Sequence, residues 1–252
     1  MQHPLSRYGV PRPIKRRAAA LFGALAGAAG IGLLITPALA SAAPGVGTNW
    51  RVFNAEPATS FFWDINRPAS DGAGGFEFPV QPFQSSSTGS FAVYLQNNYN
   101  VSLTEGSTIT ATAKWTSGSY STRSVAPSDA YARIEFQDVS SGRYTSNDYW
   151  WYSGSALDLN STTSGTITAA LSDRGHWSNV CGQVASDTTP HPGPNCVGGI
   201  DPAVSPYDGF TNAMKHVKQV SLSFGSASRY ASGVAINGSD AGTFDLTSFH
   251  IG

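Results

Sequence analysis

Asn147-Asp148-Tyr149-Trp150-Trp151-Tyr152 concentrates the side chains of this sequence that could do chemistry. Read as a strand, the segment splits by parity. Asp148, Trp150 and Tyr152 take one face, and Tyr149 and Trp151 take the other. One aromatic pair fills a core, so the other faces solvent or a groove. The charge on Asp148 marks its own face as the open one. The stretch before it, Ala130 to Gln137, also alternates. Ala132, Ile134 and Phe136 point inward, while Tyr131, Arg133, Glu135 and Gln137 point outward. Ser141-Gly142, in the connection from Asp138 to Ser146, permits a hairpin return. Pairing the two strands gathers Tyr131, Arg133, Glu135, Gln137, Asp148, Trp150 and Tyr152 on one sheet face. Such a face suits a sugar: aromatic rings stack on the C–H face of a pyranose, and planar polar groups bind its hydroxyls. An ordinary solvated face with an Arg–Glu pair fits the same residues.

Glu135 and Asp148 also raise a catalytic reading. Two carboxyl groups flanking a glycosidic bond act as acid and nucleophile at about 5–5.5 Å, or as acid and base at about 6.5–9.5 Å. His176, Trp177 and Asn179 precede Cys181 and are placed to form a groove rim or to pack a loop. The five histidines show no HxH or HExxH spacing. No GxSxG and no EF-hand-like run occurs, so neither a nucleophilic serine nor a calcium loop is indicated. Asn100-Val101-Ser102, Asn160-Ser161-Thr162 and Asn237-Gly238-Ser239 match the N-glycosylation pattern.

The elements that must position these residues are strands. Ser107 to Trp115 sets Ile109, Ala111, Ala113 and Trp115 against Thr108, Thr110, Thr112 and Lys114. Gly165 to Leu171 and Gln219 to Phe224 alternate in the same way, and Trp50 to Phe53 and Phe91 to Leu95 are shorter strands. Thr243 to Ile251 changes phase between Leu246 and Phe249, which predicts a bulge near Thr247-Ser248. One short helix is expected, capped by Asp208 and carrying Phe210, Met214 and Val217 on one face. Pro57 to Ser90, rich in Pro, Gly and Ser, reads as surface wrapping with one or two short strands. Many short strands with turn signals between them predict an all-β fold, an antiparallel β-sandwich most simply arranged as a jelly roll.

Ahead of this domain, Arg7, Arg12, Lys15, Arg16 and Arg17 form a basic region, followed by an uncharged apolar run from Ala18 to Ile35. Small residues follow at Ala38-Leu39-Ala40 and Ala40-Ser41-Ala42. This is the layout of a secretory signal, so residues 1–42 are expected to be removed and 43–252 to form one extracellular domain with no membrane span. Residues 43–252 hold all 16 acidic residues but 10 of the 15 basic ones, a net charge of −6. They contain no basic run, which excludes the electrostatic footprint of a nucleic-acid binder. In an exported chain, Cys181 and Cys196 read as a disulfide. It would close a loop of about 15 residues, worth about 3 kcal/mol in the chain-entropy model.

The mature region resembles the galactose-binding-like jelly rolls used as carbohydrate-binding modules. Asp148 to Tyr152 carries the resemblance, as does the ending that runs from Val220 to Phe224 through Gly233-Val234-Ala235 to Phe244-Asp245-Leu246. The resemblance implies glycan binding without a cofactor. It also implies a structural calcium near the terminal strands, with Glu56 and Asp245 as its ligands. Most such modules accompany a catalytic domain, and none is expected within residues 43–252. Three functions are therefore expected of these residues. The first is a secreted, non-catalytic protein that binds a polysaccharide. The second is a secreted glycoside hydrolase or other polysaccharide-active enzyme using Glu135 and Asp148. The third is a structural or partner-binding surface protein. Oligomeric state is not legible.

Overall fold

The computed structural model describes residues 49–55, 62–66, 68–85, 89–123, 129–138, 146–190 and 204–252. The expected export signal, Glu56, His191, Cys196 and most of the Asp138–Ser146 connection lie outside them. In chain order the first strands are β1 (Arg51–Ala55), β2 (Phe62–Asn66), β3 (Ala69–Ser70), β4 (Phe76–Val80) and β5 (Phe91–Val101). Then come β6 (Thr108–Trp115), β7 (Tyr120–Thr122), β8 (Tyr131–Gln137), β9 (Tyr149–Tyr152) and β10 (Leu157–Asp158). The last are β11 (Ser164–Ala170), β12 (Trp177–Asn179), β13 (Val217–Gly225), β14 (Val234–Ile236) and β15 (Gly242–Ile251). One helix, α1 (Pro206–Lys215), precedes β13.

These strands form the expected antiparallel β-sandwich. The larger sheet runs β12-β9-β8-β13-β5-β1-β2, with β10 beside β8 and β14 joining β5 to β7. The smaller sheet runs β11-β6-β15-β4-β3. Alternation dictates which side chains meet between them. Ala132, Ile134 and Phe136 of β8 pair with Phe224, Leu222 and Val220 of β13, and all six belong to the core. From the smaller sheet, Ile109, Ala111, Ala113 and Trp115 face them with Phe244, Leu246 and Phe249. Aromatic edges interlock across the layers, with Phe224–Phe244 and Trp50–Phe249 centroids each 5.0 Å apart. The phase change in β15 is real: the β15–β6 register shifts between Leu246 and Ser248. That shift keeps Phe244, Leu246 and Phe249 all buried.

The helix starts one turn earlier than the sequence reading placed it. Ser205, not Asp208, is the N-cap, and its hydroxyl accepts the Asp208 N–H at 3.1 Å. Asp208 accepts in turn from Ser205 Oγ at 2.7 Å, and Pro206 opens the helix. The buried face of α1 drives Phe210 among Phe136, Trp150 and Trp177, with centroids 5.0–5.6 Å away. Arg174 fastens this end. Its guanidinium lies 3.9 Å over the Tyr207 ring and donates to Glu105, Thr211 and the Tyr207 carbonyl. Val217, expected as the third helical contact, is already the first residue of β13.

Candidate functional site

The strand pair β8–β9 forms as expected, with Glu135 opposite Trp151, Phe136 opposite Trp150 and Gln137 opposite Tyr149. This register reverses the expected parity of the aromatic segment. Trp150 and Tyr152 share the face of Phe136 and lie in the core. Trp150 is fully buried, 5.0 Å edge-on from Phe210, and its indole donates to the Asn147 carbonyl at 2.8 Å. Tyr152 packs 5.2 Å from Trp177 and donates to Asp173 at 2.7 Å. The outer face instead receives Tyr149 and Trp151, stacked 6.1 Å apart. The reason is local. Asp148 belongs to the 3-10 turn Ser146–Asp148 and not to the strand, so its charge carries no information about the parity of β9.

The outer row of β8 is as expected, with Tyr131, Arg133, Glu135 and Gln137 in line. What the alternation could not give is its depth. Arg133 is 6% exposed and Glu135 is 0% exposed. Around Glu135, Ser221 Oγ donates to Oε2 at 2.5 Å and Gln137 Nε2 donates to Oε1 at 2.9 Å. Burial pushes the carboxyl up to about 8, against the opposing pull of these two donors. Tyr94, across β13 from this row, has its phenol driven upward by burial, then by Glu135 and Tyr149. Beyond it, Gln96 Nε2 donates to Gln219 at 2.8 Å, and Gln219 Nε2 donates to Asn98 at 3.0 Å.

Arg133 forms no ion pair among the described residues. Its guanidinium sits 4.7 Å from the Tyr131 ring centroid and 4.6 Å from that of Tyr230. Nη1 donates to the Ser226 carbonyl at 3.1 Å, while Nε is buried without a partner. Desolvation pulls the group below its ordinary value, and the two tyrosines partly oppose this. Tyr230 comes from the β13–β14 connection, which folds back toward this row. Two glycines permit the reversal. A Cβ at Gly225 would collide with the carbonyls of Arg229 and Tyr230. Gly233 has φ +86°, and a Cβ there would stand 2.7 Å from Phe91 Cβ.

Between this connection and the β9–β12 edge lies a cleft of about 690 Å³. Trp151 and Ser178, register partners, line one side together with Ser153 and Gly175. Val180 and Val184, 50% and 36% exposed, form an apolar lip. Ser228, Arg229, Tyr230 and Ser232 line the other side. Asn179 holds the lip, accepting the N–H groups of Cys181 and Gln183 at 3.0 Å each. The expected rim residues thus divide: Asn179 lines the cleft, Trp177 is core, and His176 pairs with Asp173 at 2.8 Å. Cys181 is buried; Cys196, its expected partner, falls outside the described residues.

Neither Glu135 nor Asp148 lines the cleft. Asp245, expected as a calcium ligand, is buried and neutralised by Lys114 Nζ at 3.0 Å. Among the described residues, no cluster of three or more His, Cys, Asp or Glu side chains is placed to hold a metal ion. No described helix is long and apolar enough to cross a membrane. Sequence reading missed Tyr230 and Arg229, which stand in a connection with no periodicity. It also missed Trp151, although its parity partner Tyr149 was in view. Ser221 and Ser223, small hydroxyls facing outward beside Arg133 and Glu135, were the available signal that this face is covered.

No family model matches the chain, and no curated protein matches it. Among solved structures, it is similar to a mutant of xylanase 10C from Cellvibrio japonicus in complex with xylopentaose. The identity is 14%, the TM-score is 0.35, and the match covers 82% of this chain and 28% of that one.

Proposed function

We propose that the chain is an exported, non-catalytic β-sandwich protein that binds a glycan in the cleft that Trp151 and Tyr230 line, their rings packed 6.5 Å apart in its wall. The carrying observation is the composition of that cleft: two aromatic rings among serine hydroxyls, the Asn179 amide and one guanidinium. Its volume falls within the range of about 300–1,000 Å³ usual for small-ligand sites. Rings supply the apolar platform for a sugar C–H face, and the hydroxyls supply both donors and acceptors. Hydrolysis by a carboxylate pair needs two carboxyl groups facing the sugar, and no described lining residue carries one. Export and a Cys181–Cys196 bridge belong to the proposal, supported by the basic and apolar N-terminal run and by the even cysteine count. So does the kinship to carbohydrate-binding jelly rolls, supported by the two-sheet architecture.

The test is a glycan array and polysaccharide pull-down with the intact protein, with Trp151→Ala and with Tyr230→Ala. Binding by the intact protein that drops about fivefold or more in Trp151→Ala supports the reading. Stacking of this kind is worth roughly 1 kcal/mol or more per ring. An intact, folded protein that retains no glycan overturns it.

A further inference from the structure

We infer, resting on the glycan reading above, that the cleft selects polysaccharides bearing carboxylates, meaning uronate-containing chains, over neutral ones. Among the described residues, the lining has one charged side chain, Arg229, and no Asp or Glu. That is unexpected by composition, since residues 43–252 contain 16 acidic and 10 basic residues. The wall is more positive than Arg229 alone makes it. Arg133 stacks on Tyr230 with its guanidinium carbon 4.6 Å from the ring centroid and has no ion pair among the described residues. Asp129 acts on it more weakly than the two flanking tyrosines do.

Hydrogen-bonding capacity points the same way. A neutral sugar presents hydroxyls that donate as well as accept, and a carboxylate side chain is the acceptor best suited to them. Among the described residues the wall lacks such an acceptor, and Arg229 supplies a five-donor fork. A uronate carboxylate is acceptor-only and matches a guanidinium fork in two parallel bonds.

The experiment compares pectate fragments with the same fragments after reduction of their carboxyls, and alginate with xylan. Titrations use the intact protein and Arg229→Gln. Arg229 is exposed, so its replacement leaves the fold intact. The acidic member of each pair is expected to bind at least tenfold more tightly. That preference should shrink as salt is raised from about 20 to 300 mM. Arg229→Gln should weaken acidic binding about fivefold more than it weakens neutral binding. Equal or tighter binding of the neutral members overturns the inference while the glycan reading stands. So does a preference that survives unchanged in Arg229→Gln. Failure of all four polysaccharides to bind overturns the inference, and the array above then decides the glycan reading separately.

Discussion

The two outer faces of the sandwich are built from the same strand alternation and have opposite fates. On the smaller sheet, threonines pair across β6 and β11, Thr110 with Thr168 at 3.3 Å and Thr112 with Thr166 at 2.9 Å. These hydroxyls stand in water and exchange partners with it freely. On the larger sheet, Arg133, Glu135, Gln137, Ser221 and Ser223 also point away from the core, yet all are buried. Period 2 therefore assigns a side chain to a face and says nothing about whether that face is wet. Burying charged and polar groups costs stability that an apolar replacement would spare.

The largest expected effect separates the faces by pH. The Glu135 carboxyl rises from 4.5 to about 8 in the folded chain. A folded value above the unfolded one means that folding favours the protonated form. The stabilising contribution is complete below about pH 4.5 and is lost as pH rises through about 8. At about 1.4 kcal/mol per unit, the swing reaches up to about 5 kcal/mol. Melting temperature should therefore fall between pH 5 and 8.5 in the parent, and this fall should be absent from Glu135→Gln. Parallel curves for the two proteins would show that Glu135 is ionised throughout and that its face is wetter than its burial indicates.

Next in size is the contrast between adjacent tryptophans. Trp150→Ala empties a fully buried site against Phe210 and should cost about 3–5 kcal/mol, read as a lower denaturant midpoint at unchanged slope. Trp151→Ala opens a cleft wall, so its cost should be smaller by at least about 1 kcal/mol, with ligand binding the property that suffers. Equal losses of stability in the two variants would mean that β9 has no functional face.

That contrast also marks how far the sequence could be read. The inner rows of β6, β8, β11 and β13 were legible because an apolar residue at every second position has one physical explanation, a half-buried strand. The bulge in β15 was legible because Phe244, Leu246, Phe249 and Ile251 cannot share a face without one. Tyr149 to Tyr152 was not, since four aromatics in a row carry no binary pattern. Their parity is set by register with Gln137 and Glu135 and by Phe210, about 60 residues downstream in the chain. Tyr230 and Arg229 were beyond reach for a related reason. They reach the site through a backbone reversal at Gly225 and Gly233, and a reversal leaves no periodic trace of where it points.

The smallest effect makes the sharpest test of the comparison, because it deletes the same group from each outer face. Thr166→Val removes an exposed hydroxyl whose partner, Thr112, can turn to water, so its cost should stay within about 0.5 kcal/mol. Ser221→Ala removes a hydroxyl 2.5 Å from Glu135 Oε2 and leaves that oxygen buried with one donor fewer. Its cost should be about 1–3 kcal/mol. The two substitutions also differ in their pH response. Ser221 holds the Glu135 carboxyl down against burial, so its loss lets the carboxyl rise further, and the penalty of Ser221→Ala should stay level from pH 5 to about 8, where the folded parent keeps this carboxyl protonated, and grow from about 8 to 9.5. The small cost of Thr166→Val should be flat across that range. A pH-independent Ser221→Ala penalty no larger than that of Thr166→Val would make the two faces physically equivalent. The buried polar row would then lose its distinction from an ordinary solvated one.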